Sequence, residues 1–400
     1  MNGRALGVHR VLEPVGALPQ AAWRVDNTPV CGEDEILIEV ERLHVDAASF
    51  AQMRAEAGED AAGVAEMVER IVRQRGKLHN PVTGSGGMLI GRVAAVGSAL
   101  VAGARGPRVG ERIATLVSLS LTPLWLERVE RVHMTTGQVD VRGKAVLFAS
   151  GLYAPMPPDL PDGVSLALFD VCGAPAQTAR RVRPGDAVVV LGAGGKAGSL
   201  ALRQARLSAG HGRIVAVEPD EAACHRLRAW GWADAVLRLD ARDPLAVADA
   251  VATALQAGER SRIEPMCSPA EGGEPREGGE APQGGGAPEG GEPREGPPAW
   301  GSPARGRGEG ASDGADVVIN CVSAPGTEMA SILCARDGGT VLFFGMATSF
   351  TAAALGAEGV GKDVRLEIGN GYCRGHAELA LHLVRDTPEL LDWFRQRYGD

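Results

Sequence analysis

Four glycines, Gly192, Gly194, Gly195 and Gly198 in LGAGGKAGS, stand directly after the apolar run AVVVL and open a stretch with helical periodicity. Without Cβ atoms the chain there can turn tightly and bring backbone N–H groups up to a diphosphate, whose charge is favoured at a helix's first turn. The strict G-x-G-x-x-G spacing from Gly192 would want glycine where Ala197 stands; the tolerated form ending in alanine fits, as does the series Gly192, Gly195, Gly198. Lys196 lies inside the same turn. A second apolar run, RIVAV, leads to Glu218, about twenty residues past Gly198, where an acidic side chain commonly hydrogen-bonds ribose hydroxyls. That spacing predicts NAD over NADP because a carboxylate repels a 2′-phosphate, while Arg226 and Arg228 keep NADP open. Two later strands end in Asn320, Cys321 and Val322, and in Gly345, Met346 and Thr348. Strand ends of a parallel sheet open on the same crevice, so contact with the nicotinamide half is expected of them, loop capping being the alternative.

The elements that must carry these residues form two patterns. From Glu35, EILIEVERLHVDAASF alternates apolar residues as a strand does, and residues 60–75 place Val64, Met67, Val68, Ile71 and Val72 on one helical stripe ended near Gly76. A glycine-rich turn, NPVTGSGG, and short strands follow, the pattern of a small β-rich domain. After Pro184 the order is strand, glycine turn, helix, strand, and further strands at DAVLRL, DVVINCV and GTVLFFG extend a doubly wound parallel sheet. Residues 265–312 are mostly Gly, Pro, Glu, Ala and Arg, with GGEPREG present twice; such a stretch buries too little apolar surface to offset its chain entropy, and disorder is expected.

Composition narrows the function classes. A chain of 400 residues suggests two domains, and a net charge of -9 spread over its length offers no basic face for nucleic acid. No run of apolar residues is long enough for a membrane span, and MNGRALGVHR lacks the apolar core of a secretory signal, so a cytoplasmic protein without membrane partners is expected. Seven scattered cysteines lack the close pairs of zinc ribbons or disulfide scaffolds. Each of the four lysines, Lys77, Lys144, Lys196 and Lys362, follows a glycine, where a compact ammonium on a tight turn fits better than a guanidinium.

GRVAAVG (91–97), VRPGDAVVVLGAGG (182–195) and DGGTVLFFGM (337–346) resemble, in order, the signature stretches of the medium-chain dehydrogenase/reductase superfamily. NPVTGSGGMLIG, ATLVSLSLTPL, CGAPAQTA, GMATSFTAAALGAEGVGKDV and IGNGY resemble a narrower family, the 3,5-diaminohexanoate dehydrogenases of lysine fermentation. The resemblance implies an α/β fold: a GroES-like catalytic domain over residues 1–165, a Rossmann domain over 166–350, and a segment 351–400 completing the catalytic domain. The sequence does not give the oligomeric state, though pairing through the last strand of the nucleotide domain would make a homodimer. Zinc-dependent members carry Gly-His-Glu where this chain has Gly86, Gly87 and Met88, and their first zinc cysteine and proton-relay hydroxyl align with Leu43 and Val45; no catalytic metal is expected.

The implied reaction is NAD-dependent oxidative deamination of a small diamino acid at C3. It needs a group poised near neutrality for proton transfer, a carboxylate for the other ammonium, and a cation for the substrate carboxylate. Asp170, inside the apolar run SLALFDVCGAP, is the first candidate for proton transfer, because desolvation raises a carboxyl pKa; Asp46 is the second. A helix cap or an internal salt bridge is the alternative for either. Thr83 and Ser85 could bind the amine or the attacking water, Lys362 and Lys77 the substrate carboxylate, and Glu358 the distal ammonium, with Asn370 and Tyr372 lining the cleft. His9, His44, His79 and His376 are read as structural. Two rival readings stay open: a zinc-free NADPH quinone or enone reductase, and a non-catalytic dinucleotide-binding scaffold.

Overall fold

The structure, a computed structural model, describes residues 3–81, 84–102, 106–260, 314–369 and 371–399; the stretch 265–312, Thr83 and Asn370 lie outside them. A short antiparallel pair, β1 (Val11–Glu13) and β2 (Arg24–Val25), precedes β3 (Glu35–His44), α1 (Ala47–Glu56), α2 (Ala61–Arg75), β4 (Met88–Val96), α3 (Ser98–Ala102), β5 (Arg112–Thr115), β6 (Leu124–His133), β7 (Gln138–Phe148) and β8 (Tyr153–Pro155). β3 to β8 form one antiparallel sheet in the order β6-β7-β3-β4-β5-β8. Helix α2 forms where the stripe predicts: Asp60 caps its first turn through Gly63 N, the five stripe residues are buried, and Gly76, at φ +70°, ends it.

The second half opens with α4 (Asp162–Phe169) and α5 (Gly173–Arg181), then alternates β9 (Val188–Leu191), α6 (Lys196–Ala209), β10 (Ile214–Val217), α7 (Glu221–Trp230), β11 (Ala235–Leu237), α8 (Pro244–Arg260), β12 (Ala315–Asn320), α9 (Glu328–Cys334), β13 (Ala335–Phe343), α10 (Phe350–Gly359) and β14 (Arg365–Ile368), closing with α11 (His376–Arg385) and α12 (Pro388–Tyr398). Six strands pair in parallel in the order β11-β10-β9-β12-β13-β14. Every residue of β9 and β10 is buried, as a strand covered on both faces requires. No helix among the described residues is long and apolar enough to cross a membrane.

Residues 351–369 and 371–399, expected to complete the antiparallel domain, pack mainly on the parallel sheet and touch both. β14 extends the parallel sheet beyond β13, and Ala380, Leu383, Val384, Leu390 and Phe394 of α11 and α12 share one core with Val188, Val190 and Leu200. The apolar stripes of the two helices found their cover on the face of the nucleotide sheet, with Ala377 reaching across to Met88 and Ile90.

Strand β3 carries chemistry at its far end and is anchored at its start. Glu35, fully buried, receives Arg10 Nε at 2.7 Å and Nη2 at 2.6 Å, His9 Nε2 at 2.8 Å and Gly32 N at 2.7 Å. Burial alone would raise its carboxyl pKa, but the Arg10 hydrogen bonds outweigh burial and hold it below the usual range. Replacing Glu35 by Ala strands the Arg10 charge and is expected to cost about 3–5 kcal/mol in denaturant unfolding at pH 7. Because the folded pKa is depressed, this stabilisation is present above the unfolded pKa of about 4.3 and fades as pH falls further. A loss under ~1 kcal/mol at pH 7 would be too small for a desolvated pair.

Candidate active site

β9 delivers the chain to the glycine turn. Gly192 takes φ +71°, and its N–H and that of Ala193 donate to Val217 O at the end of β10. A Cβ on Gly198 would lie 2.0 Å from Gly192 O, so α6 packs onto the turn only because glycine stands there. The N-cap Gly195 offers no side-chain cap, and the amides of Lys196, Ala197 and Gly198 precede any intrahelical carbonyl. Gly194 is gripped at both ends of its residue: its N–H donates to Glu218 Oε2 at 2.8 Å and its carbonyl accepts from Arg226 Nη2 at 2.8 Å. A Cβ on Gly194 would stand 2.8 Å from that Glu218 oxygen.

A cleft of about 240 Å³ opens beside the turn, lined by Gly192, Gly195, Glu218, Cys321 and Val322, together with Ser323, which sequence reasoning did not single out. Bare amides on one side and a carboxylate on the other fit a dinucleotide, with the diphosphate at the turn and a ribose at Glu218. Asn320 does not face this space. It is fully buried, donating to Thr327 Oγ1 at 2.8 Å and Ser331 Oγ at 2.9 Å while its Oδ1 accepts from Val322 N, so it shapes the loop that brings Cys321 and Val322 to the cleft. Gly345 packs against Val322 O, where a Cβ would lie at 2.2 Å; Thr348 caps its own turn through Gly345 O, and Met346 is exposed.

Lys196 does not turn toward that cleft. Its Nζ lies 2.8 Å from Asp170 Oδ2, 3.0 Å from His44 Nε2 and 5.7 Å above the Tyr398 ring. Asp170 sits at the C-terminal boundary of α4, and His44 ends β3, its Nε2 3.4 Å from Asp170 Oδ2. Gly87, at φ +99°, makes this corner possible, because a Cβ there would come within 1.9 Å of His44 O. Asp46, two residues on, caps α1 through Ser49 N at 3.0 Å and accepts from Ser85 Oγ at 2.9 Å.

The cluster fixes its own protonation. Burial would raise the Asp170 carboxyl, but the Lys196 ammonium and the His44 ring hold it well below the carboxylate range. Burial would lower Lys196, and Asp170 reverses that and raises it. His44 is pushed below its ordinary value first by burial, then by Lys196, so its imidazole is neutral at neutral pH. Asp170 is therefore held below the carboxylate range in an internal salt bridge, the alternative to proton transfer, because desolvation is outweighed by a cation distant in sequence. The neutral ring of the cluster is His44, which sequence reading set aside as structural. The ring is 1% exposed, and its Nδ1 has no partner among the described residues.

Other candidates lie elsewhere. Lys362 donates to Leu333 O at 2.9 Å and to Ala335 O, closing the C-terminal end of α9, and is not available for a substrate carboxylate. Lys77 is fully buried and donates to Pro19 O at 2.6 Å and Gln20 O at 3.4 Å; burial lowers it to about 8. Glu358 is exposed on α10, and Tyr372 is 45% exposed with its ring edge on His376. Ser85 is in the cluster through Asp46 and Ser49, not by itself. Among the described residues no three His, Cys, Asp or Glu side chains gather where they could hold a metal ion.

A parallel sheet with a glycine turn of the Rossmann kind, set against an antiparallel β-rich domain, defines the class as a two-sheet α/β protein with a nucleotide-type half. Residues 9–157 match the model of the L-erythro-3,5-diaminohexanoate dehydrogenase N-terminal domain. L-erythro-3,5-diaminohexanoate dehydrogenase of Acetoanaerobium sticklandii is 41% identical over 399 residues, covering 100% of both chains, and that of Fusobacterium nucleatum is 38% identical over 398 residues, covering 99% of both. Among solved structures, CurK enoyl reductase superposes with a TM-score of 0.49 at 12% identity, over 94% of this chain and 84% of that one. The chain belongs to the L-erythro-3,5-diaminohexanoate dehydrogenase family.

Lys196→Ala leaves the Asp170 carboxylate buried without its cation and is expected to destabilise the fold by about 3–5 kcal/mol. The contribution requires pH above the unfolded Asp value of about 3.9 and below the unfolded Lys value of about 10.4, since the folded carboxyl is depressed and the folded ammonium raised. Unfolding in denaturant at pH 5, 7 and 9 is therefore expected to show no contribution of this pair to the pH dependence of wild type, while the variant, whose Asp170 carboxyl is raised by burial once its cation is gone, is expected to lose most at pH 7 and 9 and less at pH 5, where the carboxyl takes up a proton. A loss that is larger at pH 5 than at pH 9 would show that Lys196 does not hold Asp170 ionised.

Proposed function

We propose that this chain catalyses NAD-dependent oxidative deamination of L-erythro-3,5-diaminohexanoate, yielding 5-amino-3-oxohexanoate, ammonia and NADH. The observation that carries this reading is the full-length identity to dehydrogenases of that name, which spans both sheets and the cluster between them. NAD, when bound at the turn, supplies the hydride acceptor. The chain's residues suit a cationic amine: with His44 neutral, the carboxylates of Asp46 and Asp170 outnumber the one ammonium of Lys196 and leave a net negative site. An enone pocket would have no use for that charge. Glu218 at the ribose end supports NAD rather than NADP as the dinucleotide used.

His44 is assigned proton transfer. The substrate ammonium must lose a proton before the carbon can give up hydride, and a neutral imidazole accepts it. Asp170, facing Nε2, steadies the imidazolium so formed; water adding to the iminium releases one proton to solvent, and the ring returns its own to the departing nitrogen, which leaves as ammonium.

An NADH absorbance assay over a panel of β-amino acids, run with NAD and NADP and with ammonia measured alongside, tests the reaction. Equal amounts of NADH and ammonia from 3,5-diaminohexanoate, with NAD preferred, are expected; NADH without ammonia would point instead to an alcohol substrate. For His44→Asn, kcat is expected to fall about 10²–10⁴-fold, and the acid limb of the wild-type kcat/KM profile, lying below pH 6.5, is expected to vanish. A variant that keeps both the rate and the limb would remove His44 from the mechanism.

A further inference from the structure

The glycine turn is fastened to a helix that takes no part in the nucleotide motif. α12, packed against α4 and α11, presents Trp393 and Tyr398 toward the turn. The Arg226 guanidinium lies 4.9 Å from the Trp393 ring centre and 5.3 Å from that of Trp230, and the two indoles meet edge to face at 6.1 Å and 83°. Arg226 Nη2 holds Gly194 O, while its Nε is buried without a partner among the described residues. Its charge feels that of Glu218, but among the described residues the two form no ion pair, so the Gly194 carbonyl and the two ring faces orient the guanidinium plane. At the other end of the turn, the ring of Tyr398 lies beneath Lys196 Nζ at 5.7 Å, and Trp393 and Tyr398 touch edge to face at 6.3 Å.

We propose that α12 is a positioning element for the dinucleotide turn, with Trp393 setting Gly194 through Arg226 and Tyr398 setting Lys196 beside Asp170 and His44. Gly194 has its N–H held by Glu218 and its C=O held by Arg226, so the orientation of the peptides on either side, and with it the direction of the following amides, depends on where the guanidinium lies. Phe394 and Leu390, fully buried on the same helix, hold α12 in the core whether or not Trp393 is present, which separates folding of the helix from positioning of the turn. The inference rests on the reading that this turn takes a dinucleotide.

Calorimetric titration of the full chain with NAD, beside thermal unfolding, tests it. Trp393→Leu and Arg226→Met are each expected to raise Kd about tenfold, and the double variant no further, since both act through one contact. Trp393→Phe keeps a ring face and is expected to stay within about twofold of wild type. Leu390→Ala is expected to lower Tm while leaving Kd unchanged, which a merely structural role for α12 would not allow. Wild-type Kd retained in both Trp393→Leu and Arg226→Met overturns the proposal and leaves the dinucleotide reading intact. Equal rises in Kd for Leu390→Ala and Trp393→Leu at equal loss of Tm overturn it too. Wild type taking up neither NAD nor NADP overturns the proposal together with the reading beneath it.

Discussion

The pairing of Lys196 with Asp170 is the constraint on which the site depends. Lys196 is the first residue of α6 on the parallel sheet, Asp170 closes α4, and His44 arrives from the antiparallel sheet, so one ammonium joins three elements that are distant in sequence. Neither charge is tolerable alone in that environment, and each holds the other ionised. The consequence falls on His44. Next to a permanent cation and away from water its charged form is disfavoured, which makes it a neutral imidazole with a carboxylate in reach of its Nε2.

Close backbone approach makes this pairing possible, and glycine supplies it at two places. Gly87 lets the strand carrying Met88 pass against the carbonyl of His44, and Gly194 lets the Glu218 carboxylate close on a main-chain amide. The first fixes the place of the His44 ring and the second that of the Glu218 carboxylate, so the stretch around Gly87 serves as a steric allowance. The same region gains a net negative charge from Asp46, whose carboxylate is itself held by α1 and by Ser85.

What the sequence revealed and what it hid divide along the line between local and distant interactions. The parallel strands, the turn and Glu218 follow from apolar runs and spacing within one βαβ unit, and helix α2 from its stripe and caps. The placement of α11 and α12 could not be read, because an amphipathic face does not say which sheet it will cover. The ionisation of Asp170 was misjudged for the same reason: its apolar flanks are local and argue for a raised pKa, while the lysine that reverses the sign is 26 positions away and the histidine farther still. Asn320 was legible as a buried polar residue in need of partners but not as one whose partners, Thr327 and Ser331, lie in the loop it shapes.

The scarcity of lysine in a chain rich in arginine carries a physical meaning that the structure makes specific. Lys77, Lys196 and Lys362 each aim one nitrogen at two acceptors that converge on a point: two carbonyls for Lys77, two for Lys362, and a carboxylate with an imidazole for Lys196. A planar guanidinium spreads its donors over a fork and cannot sit at such a point without pushing the acceptors apart, whereas an ammonium donates in several directions from one atom. Before Lys77 and Lys362 the glycines Gly76 and Gly361 belong to the same device, since their positive φ lets the backbone bend sharply enough to deliver the side chain; Gly195 before Lys196 is extended. Lys77 and Lys362 close turns in this way and have only peptide oxygens to answer them. Lys196 alone of the three meets a carboxylate, and that difference in acceptor, rather than anything in the lysine or its turn, is what makes one of them part of a buried ionised cluster and leaves the others as structural clasps.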